Sequence, residues 1–366
     1  MRKISLSDRL QLAFKYPGSA ANFVLSKLFG QKRIWIITFF PTERCNLNCS
    51  GCLVKESRTN YLKKRPDLTF HDFTKVIREF EVLKPFLYFT GGEPLLNEDI
   101  FKMISNANEE KFVTTLTTNG IILSEKCKDM LNSGLLFLSV SINGFEKEHD
   151  KTQGVTGAFN KTIKGLTKLL DKRDGKNPRV KVNTIITSEN YNQLGDLVAF
   201  LFDLGIDEMS LQHYSFYTDK MKLAQDECAI KYGLGTGVEG CNIESTPYLN
   251  EYQIGLLRKE ICKIRKSGFE VEIKPRVNEI TEYYLGFQPS NKSKCNRISK
   301  EAVIRATGEI ELCSGYVIGT ISEGVKKSFY GAKAEKLRSH IANQGLIPAC
   351  YRCCALSYDF LRAHLS

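Results

Sequence analysis

Between Glu43 and Ser57 the chain reads ERCNLNCSGCLVKES, and Cys45, Cys49 and Cys52 stand in it at the spacing C-x3-C-x2-C. Structural zinc wants four ligands, usually drawn from C-x2-C pairs, and a disulfide framework wants an even number of cysteines. Three thiolates on one short loop suit a different group. Four irons in a cubane need four ligands, so three cysteines fix three irons and leave the fourth open to substrate. Gly51 keeps the loop free of bulk beside the third cysteine.

Such a loop must be carried by a rigid frame, and the sequence supplies one. Apolar, β-rich runs recur at residues 34–40, 86–92, 112–120, 136–144, 180–187 and 208–215. Helical periodicity fills most of the gaps, at Phe70–Leu83, Ser124–Ser133, Phe159–Leu170 and Gln193–Leu204. Read as strands apolar on both faces and alternating with helices, these runs predict a parallel sheet. Six units predict an α/β fold built as an open, partial (β/α)6 barrel of the TIM type. In parallel α/β sheets the chemistry gathers at the carboxyl ends of the strands. The cysteine loop follows the first strand there. The turns Gly91-Gly92-Glu93-Pro94, Thr118-Asn119-Gly120 and Ser141-Ile142-Asn143-Gly144 fall at the same end.

Bulk properties set the boundaries. The chain has 366 residues, 42% hydrophobic and 25% charged, which is the composition of a globular protein with room for a large domain and a smaller one. The first residues lack the apolar core of a signal peptide, no run is long enough to span a membrane, and a cytoplasmic location is expected. Thiols stay reduced in that compartment, so the 12 cysteines point to metal rather than to disulfides. The 52 Lys and Arg outnumber the 41 Asp and Glu, for a net charge of +11. The charge is scattered and no nucleic-acid module accompanies it, so a nucleic-acid partner is not expected.

Four segments are expected along the chain. Residues 1–33 read as two short amphipathic helices broken at Pro17-Gly18, either a packed lid or, through residues 5–29, a peripheral membrane contact. Residues 34–215 form the barrel, 216–289 a bridging region, and 290–366 a small cysteine-dense subdomain of hairpin and helix. The glycine-rich run near Cys241 lacks a preceding strand and is no dinucleotide fingerprint.

The stretch CNLNCSGC followed by FTGGEPLL resembles the radical S-adenosylmethionine (SAM) superfamily. The resemblance implies a [4Fe–4S] cluster on Cys45, Cys49 and Cys52 whose unique iron chelates SAM. One electron, from a reductant of flavodoxin or ferredoxin type, then cleaves SAM to a 5′-deoxyadenosyl radical. It further implies that Thr90, Gly91, Gly92 and Glu93 hold the SAM ammonium. Thr118 and Asn119 would line the pocket, and Ser141 and Asn183 would reach the ribose or carboxylate. Two features depart from the pattern. Relatives carry an aromatic residue before the third cysteine where this chain has Gly51. Asn143 and Gln153 stand where an aspartate and an arginine are common.

Cys295, Cys313, Cys350 and Cys353 form a second set. The residues between the first two, EAVIRATGEIEL, read as a hairpin turning at Thr307-Gly308. The arrangement resembles the twitch subdomain, the shorter relative of SPASM, and implies an auxiliary [4Fe–4S] cluster; structural zinc is the alternative. Cys354 is an alternative ligand beside Cys353. Cys127, Cys228 and Cys262 are expected to be ordinary buried thiols, and Cys241 is a candidate donor of a hydrogen atom to a substrate radical. The expected function is radical SAM chemistry that oxidatively modifies a ribosomally made peptide. A lipid or a sugar or polyol small molecule is the alternative substrate, and a non-catalytic metal-cluster scaffold is the alternative role.

Overall fold

The computed structural model describes residues 6–29, 32–52, 55, 62–65, 67–175, 177–233, 248–274, 280–286, 295–313 and 315–353. Two helices open it, α1 (Leu6–Lys15) and α2 (Pro17–Phe29). Pro17 starts α2 at a position where its missing N–H costs nothing. The barrel follows: β1 (Ile36–Phe39), α3 (Phe70–Ile77), β2 (Phe86–Phe89), α4 (Ile100–Glu109), β3 (Thr114–Thr118), α5 (Leu123–Asn132) and β4 (Phe137–Ser141). Then come α6 (Glu146–Gln153), α7 (Ala158–Lys172), β5 (Arg179–Ile186), α8 (Leu194–Asp203) and β6 (Glu208–His213). Beyond lie α9 (Asp219–Tyr232), α10 (Glu251–Lys266), β7 (Val271–Lys274) and α11 (Ile280–Leu285). The chain ends in β8 (Glu301–Ile304), β9 (Glu309–Cys313), β10 (Tyr316–Thr320), α12 (Val325–Tyr330) and α13 (Ala332–Gln344).

The ten strands form one sheet in the order β10-β9-β8-β1-β2-β3-β4-β5-β6-β7. Neighbours from β1 to β7 pair in parallel, with β7 a seventh strand beside the six expected. The ends of the sheet are not paired to each other, so the barrel is open.

The strands are not apolar on both faces, as the sequence reading had them. In β4 to β6, Leu138, Val140, Val180, Val182, Met209 and Leu211 share one core with Leu166, Leu197 and Leu201 of the covering helices. Successive side chains alternate across a strand, so the opposite face carries Ser139 and Ser141, Lys181 and Asn183, and Ser210 and Gln212. The register places Ser141 beside Asn183, Asn183 beside Ser210, and Gln212 beside Lys274. A polar interior therefore runs across the second half of the barrel.

The C-terminal hairpin is also no detached unit. It turns at Thr307-Gly308 as expected, with Gly308 N donating to Arg305 O at 2.9 Å. Its first strand, β8, pairs in parallel with β1, from Ile36 opposite Glu301 to Phe39 opposite Ile304. Inside that seam Thr38 Oγ1 donates to Glu301 Oε1 at 2.6 Å.

Candidate functional site

The first cysteine set and the turns around it hang on the ends of β1 to β5. Backbone hydrogen bonds lace the turn after β2 onto the approach to the first cysteine. Thr90 N donates to Phe39 O at 2.9 Å, Gly92 N to Thr42 O at 3.2 Å and Glu93 N to Arg44 O at 2.7 Å. A Cβ on Gly92 would lie 2.0 Å from Arg44 O, so only glycine permits this approach.

Cys45, Cys49 and Cys52 lie half-buried on the loop after β1. The end of α6 braces that loop from the far side: Asn48 N donates to Gln153 O at 3.1 Å and Ser50 N to Thr152 O at 3.2 Å. Cys49 Sγ donates to Gln153 Oε1. Gln153, flagged as a departure, is thus a direct neighbour of a candidate ligand. A thiolate only accepts hydrogen bonds, so with Cys49 on iron the amide must turn its N–H toward sulfur.

Glu93 is fully buried. Its carboxylate accepts from Thr118 Oγ1 at 2.7 Å, Leu95 N at 3.1 Å and Asn119 N at 2.8 Å. Burial outweighs these three donors and pushes its pKa up to about 7. Asn119 Nδ2 in turn donates to Asn46 Oδ1 at 2.7 Å, inside the cysteine loop. Glu93 therefore ties the ends of β2 and β3 together and, through Asn119, reaches the first cysteines. Ser141 and Asn183 are adjacent across β4 and β5, both half-buried, and Ile142 N donates to Asn183 O at 3.0 Å. Asn143 is consumed by the fold, accepting from Ile185 N at 2.9 Å and donating through its own N to His149 Nδ1 at 3.0 Å. Burial drives the His149 pKa down to about 4, so the ring is a neutral acceptor at pH 7.

The second cysteine set also assembles. Cys350 is buried, Cys295, Cys313 and Cys353 are half-buried, and Cys353 N donates to Cys350 O at 3.1 Å in a tight knuckle. Burial, then the neighbouring charges of Cys313, Cys353 and Cys295, holds the Cys350 thiol well above its ordinary pKa. Thiolates brought this close repel one another, and a bound cation would lower that cost. Among the described residues no three His, Cys, Asp or Glu side chains stand close enough to hold a single metal ion.

Among the described residues every cysteine is a free thiol. Cys127 is buried as expected, but Cys228 is half-buried and Cys262 is exposed on α10, where it faces no core. Cys241 and Cys354 lie outside the described residues.

Sequence reasoning missed two kinds of residue. The first lies on the polar face: Lys181 and Lys274 flank Glu272 at 3.1 and 3.0 Å, and Tyr88 pairs with Thr117 at 3.0 Å. The alternation in VKVN, SLQH and VEIK was the available signal. The second is Arg305, whose Nη2 donates to Glu43 Oε2 at 2.8 Å with both side chains buried. Its guanidinium also lies 4.1 Å from the Phe40 ring. No short motif marks a pair 262 residues apart.

The chain is thus an open parallel barrel with three half-buried cysteines on the loop after its first strand. Residues 39–201 match the Radical SAM superfamily. The superfamily uses a [4Fe–4S] cluster and SAM. Pre-heme d1 synthase of Dinoroseobacter shibae is 30% identical over 49% of this chain and 43% of its own. A tungsten-containing aldehyde ferredoxin oxidoreductase cofactor-modifying protein of Pyrococcus furiosus is 26% identical over 74% of this chain and 68% of its own. The chain spans less than half the length of the first relative. In fold it is similar to Streptococcus suis SuiB bound to SAM, with a TM-score of 0.60 over 92% of this chain and 77% of that one, at 17% identity.

Proposed function

We propose that this protein is a radical SAM enzyme that abstracts hydrogen from a substrate lying across the barrel mouth and oxidises it. The observation that carries the reading is the lacing of the Gly91-Gly92-Glu93 turn onto the backbone that leads into Cys45. When bound, the cluster on Cys45, Cys49 and Cys52 supplies the electron that cleaves SAM. The chain's own residues do the rest. Backbone groups at Thr90, Gly91 and Gly92 receive the SAM ammonium, Glu93 holds Thr118 and Asn119 in place, and Ser141 and Asn183 offer polar contacts deeper in. Cys295, Cys313, Cys350 and Cys353 would hold a second cluster able to accept an electron from the oxidised substrate.

A ribosomally made peptide is the favoured substrate. SuiB, similar in fold, has been solved with its precursor peptide SuiA. A lipid or a sugar or polyol is the second reading, and a specific observation supports the lipid. On the basic N-terminal helix Leu10 is 52% exposed and Phe14 84%. The electron would come from a flavodoxin- or ferredoxin-type donor. Among the described residues no helix is long and apolar enough to cross a membrane. Anaerobic protein reduced with dithionite in the presence of SAM should form 5′-deoxyadenosine. Failure to form it with iron loaded would leave the non-catalytic scaffold.

A further inference from the structure

The two cysteine sets are joined by a buried unit of aromatic rings and one arginine. At the first set, Gly51 precedes Cys52, and the Tyr214 ring packs against it so closely that a Cβ at position 51 would lie 2.7 Å from Tyr214 Cε2. Tyr214 enters from the end of β6 and stacks on Tyr248 with ring centroids 3.9 Å apart.

At the second set, Arg352 sits between Cys350 and Cys353 with 3% of its surface exposed. Its guanidinium donates to Tyr283 O at 2.8 Å through Nε and to Gly286 O at 2.7 Å through Nη2, and it lies 4.1 Å from the Phe216 ring. Its carbonyl accepts from Ser215 Oγ at 3.0 Å. The link closes at Tyr283, whose hydroxyl is shared between Tyr214 O at 3.1 Å and Arg352 O at 3.4 Å. A buried cation is tolerated only when its donors are met, and here carbonyls of the 280–286 segment and an aromatic face meet them. The unit thus packs against Gly51 beside Cys52 and includes Arg352 between Cys350 and Cys353.

We infer that the Tyr214–Tyr283–Arg352 unit couples the two sites, so that SAM bound at the first changes the redox poise of the second. The inference rests on the two-cluster reading. Coupling between sites is reciprocal, so reduction of the second cluster changes SAM affinity by the same factor. Tyr214 and Arg352 act here as positioning residues. Gly51 has a role in this arrangement: it makes room beside Cys52 for a ring delivered from another strand.

The test is an EPR-monitored redox titration of the anaerobically reconstituted full chain, with and without SAM. In the wild type the midpoint potential of the second cluster should move when SAM is added. Tyr214→Leu and Arg352→Met should lose that movement while keeping the wild-type iron content, and Tyr214→Phe and Arg352→Lys should retain most of it. An undiminished shift in Tyr214→Leu and Arg352→Met, or no shift in wild type carrying both clusters, overturns the coupling alone. Wild type lacking a second cluster signal overturns the two-cluster reading and the coupling with it.

Discussion

Glu93 carries three hydrogen bonds from groups that line the proposed SAM pocket, and its removal has consequences at two levels. Glu93→Ala leaves Thr118 Oγ1, Asn119 N and Leu95 N without their acceptor. Each stranded donor costs about 1–3 kcal/mol. SAM affinity should fall about tenfold or more, measured by equilibrium binding, while the iron content is unchanged. A loss of iron would show that Glu93 serves the fold rather than the pocket. The same carboxylate predicts a pH dependence. Its folded pKa, raised by burial from 4.5 to about 7, exceeds the unfolded value. The folded chain therefore holds a proton that the unfolded chain has released. The associated stability is complete below pH 4.5 and is lost as pH rises toward 7, by roughly 2–3 kcal/mol. Denaturant unfolding of Glu93→Gln across that window should show a flatter slope than the wild type, and parallel slopes would contradict the assignment.

At the scale of elements, the N-terminal helices divide their apolar residues between two tasks. Tyr16 is buried with Trp35, Phe86 and Val113, and Leu12 and Phe23 pack against that cluster, while Leu10 and Phe14 on the same helix face outward. Co-sedimentation with anionic vesicles should be reduced several-fold in Leu10→Ser/Phe14→Ser, because each exposed apolar side chain contributes about 1.5–3 kcal/mol when buried in lipid. Equal sedimentation would leave α1 as a lid.

What the sequence made legible follows the same division. The cysteine loop and the glycine turn were readable because short-range spacing dictates them, and the hairpin because Thr307-Gly308 is a local turn signal. Local patterns could not show that β8 pairs with β1, or that Arg305 reaches Glu43 and Tyr214 reaches Gly51. Those contacts depend on how distant segments close in space. The polar interior was misread because Val, Ile and Leu mask the alternating Lys181, Asn183, Ser210 and Gln212.

Taken whole, the molecule is one continuous sheet bearing a cysteine set on each part. The Arg305–Glu43 pair stitches the parts together, and breaking one partner of a buried pair costs about 3–5 kcal/mol. Arg305→Met should lower unfolding stability by that order, and an effect below about 1 kcal/mol would mean that the pair carries no more than a surface contact. The division into two sets is tested most directly by iron counting together with SAM cleavage. Anaerobically reconstituted wild type should hold about eight irons per chain. Replacing Cys45, Cys49 and Cys52 by Ala should leave about four and abolish 5′-deoxyadenosine formation. Replacing Cys295, Cys313, Cys350 and Cys353 should also leave about four, with uncoupled SAM cleavage persisting. About four irons and one zinc in the wild type would replace the second cluster by structural zinc. Undiminished SAM cleavage in the triple variant would contradict the account at its centre.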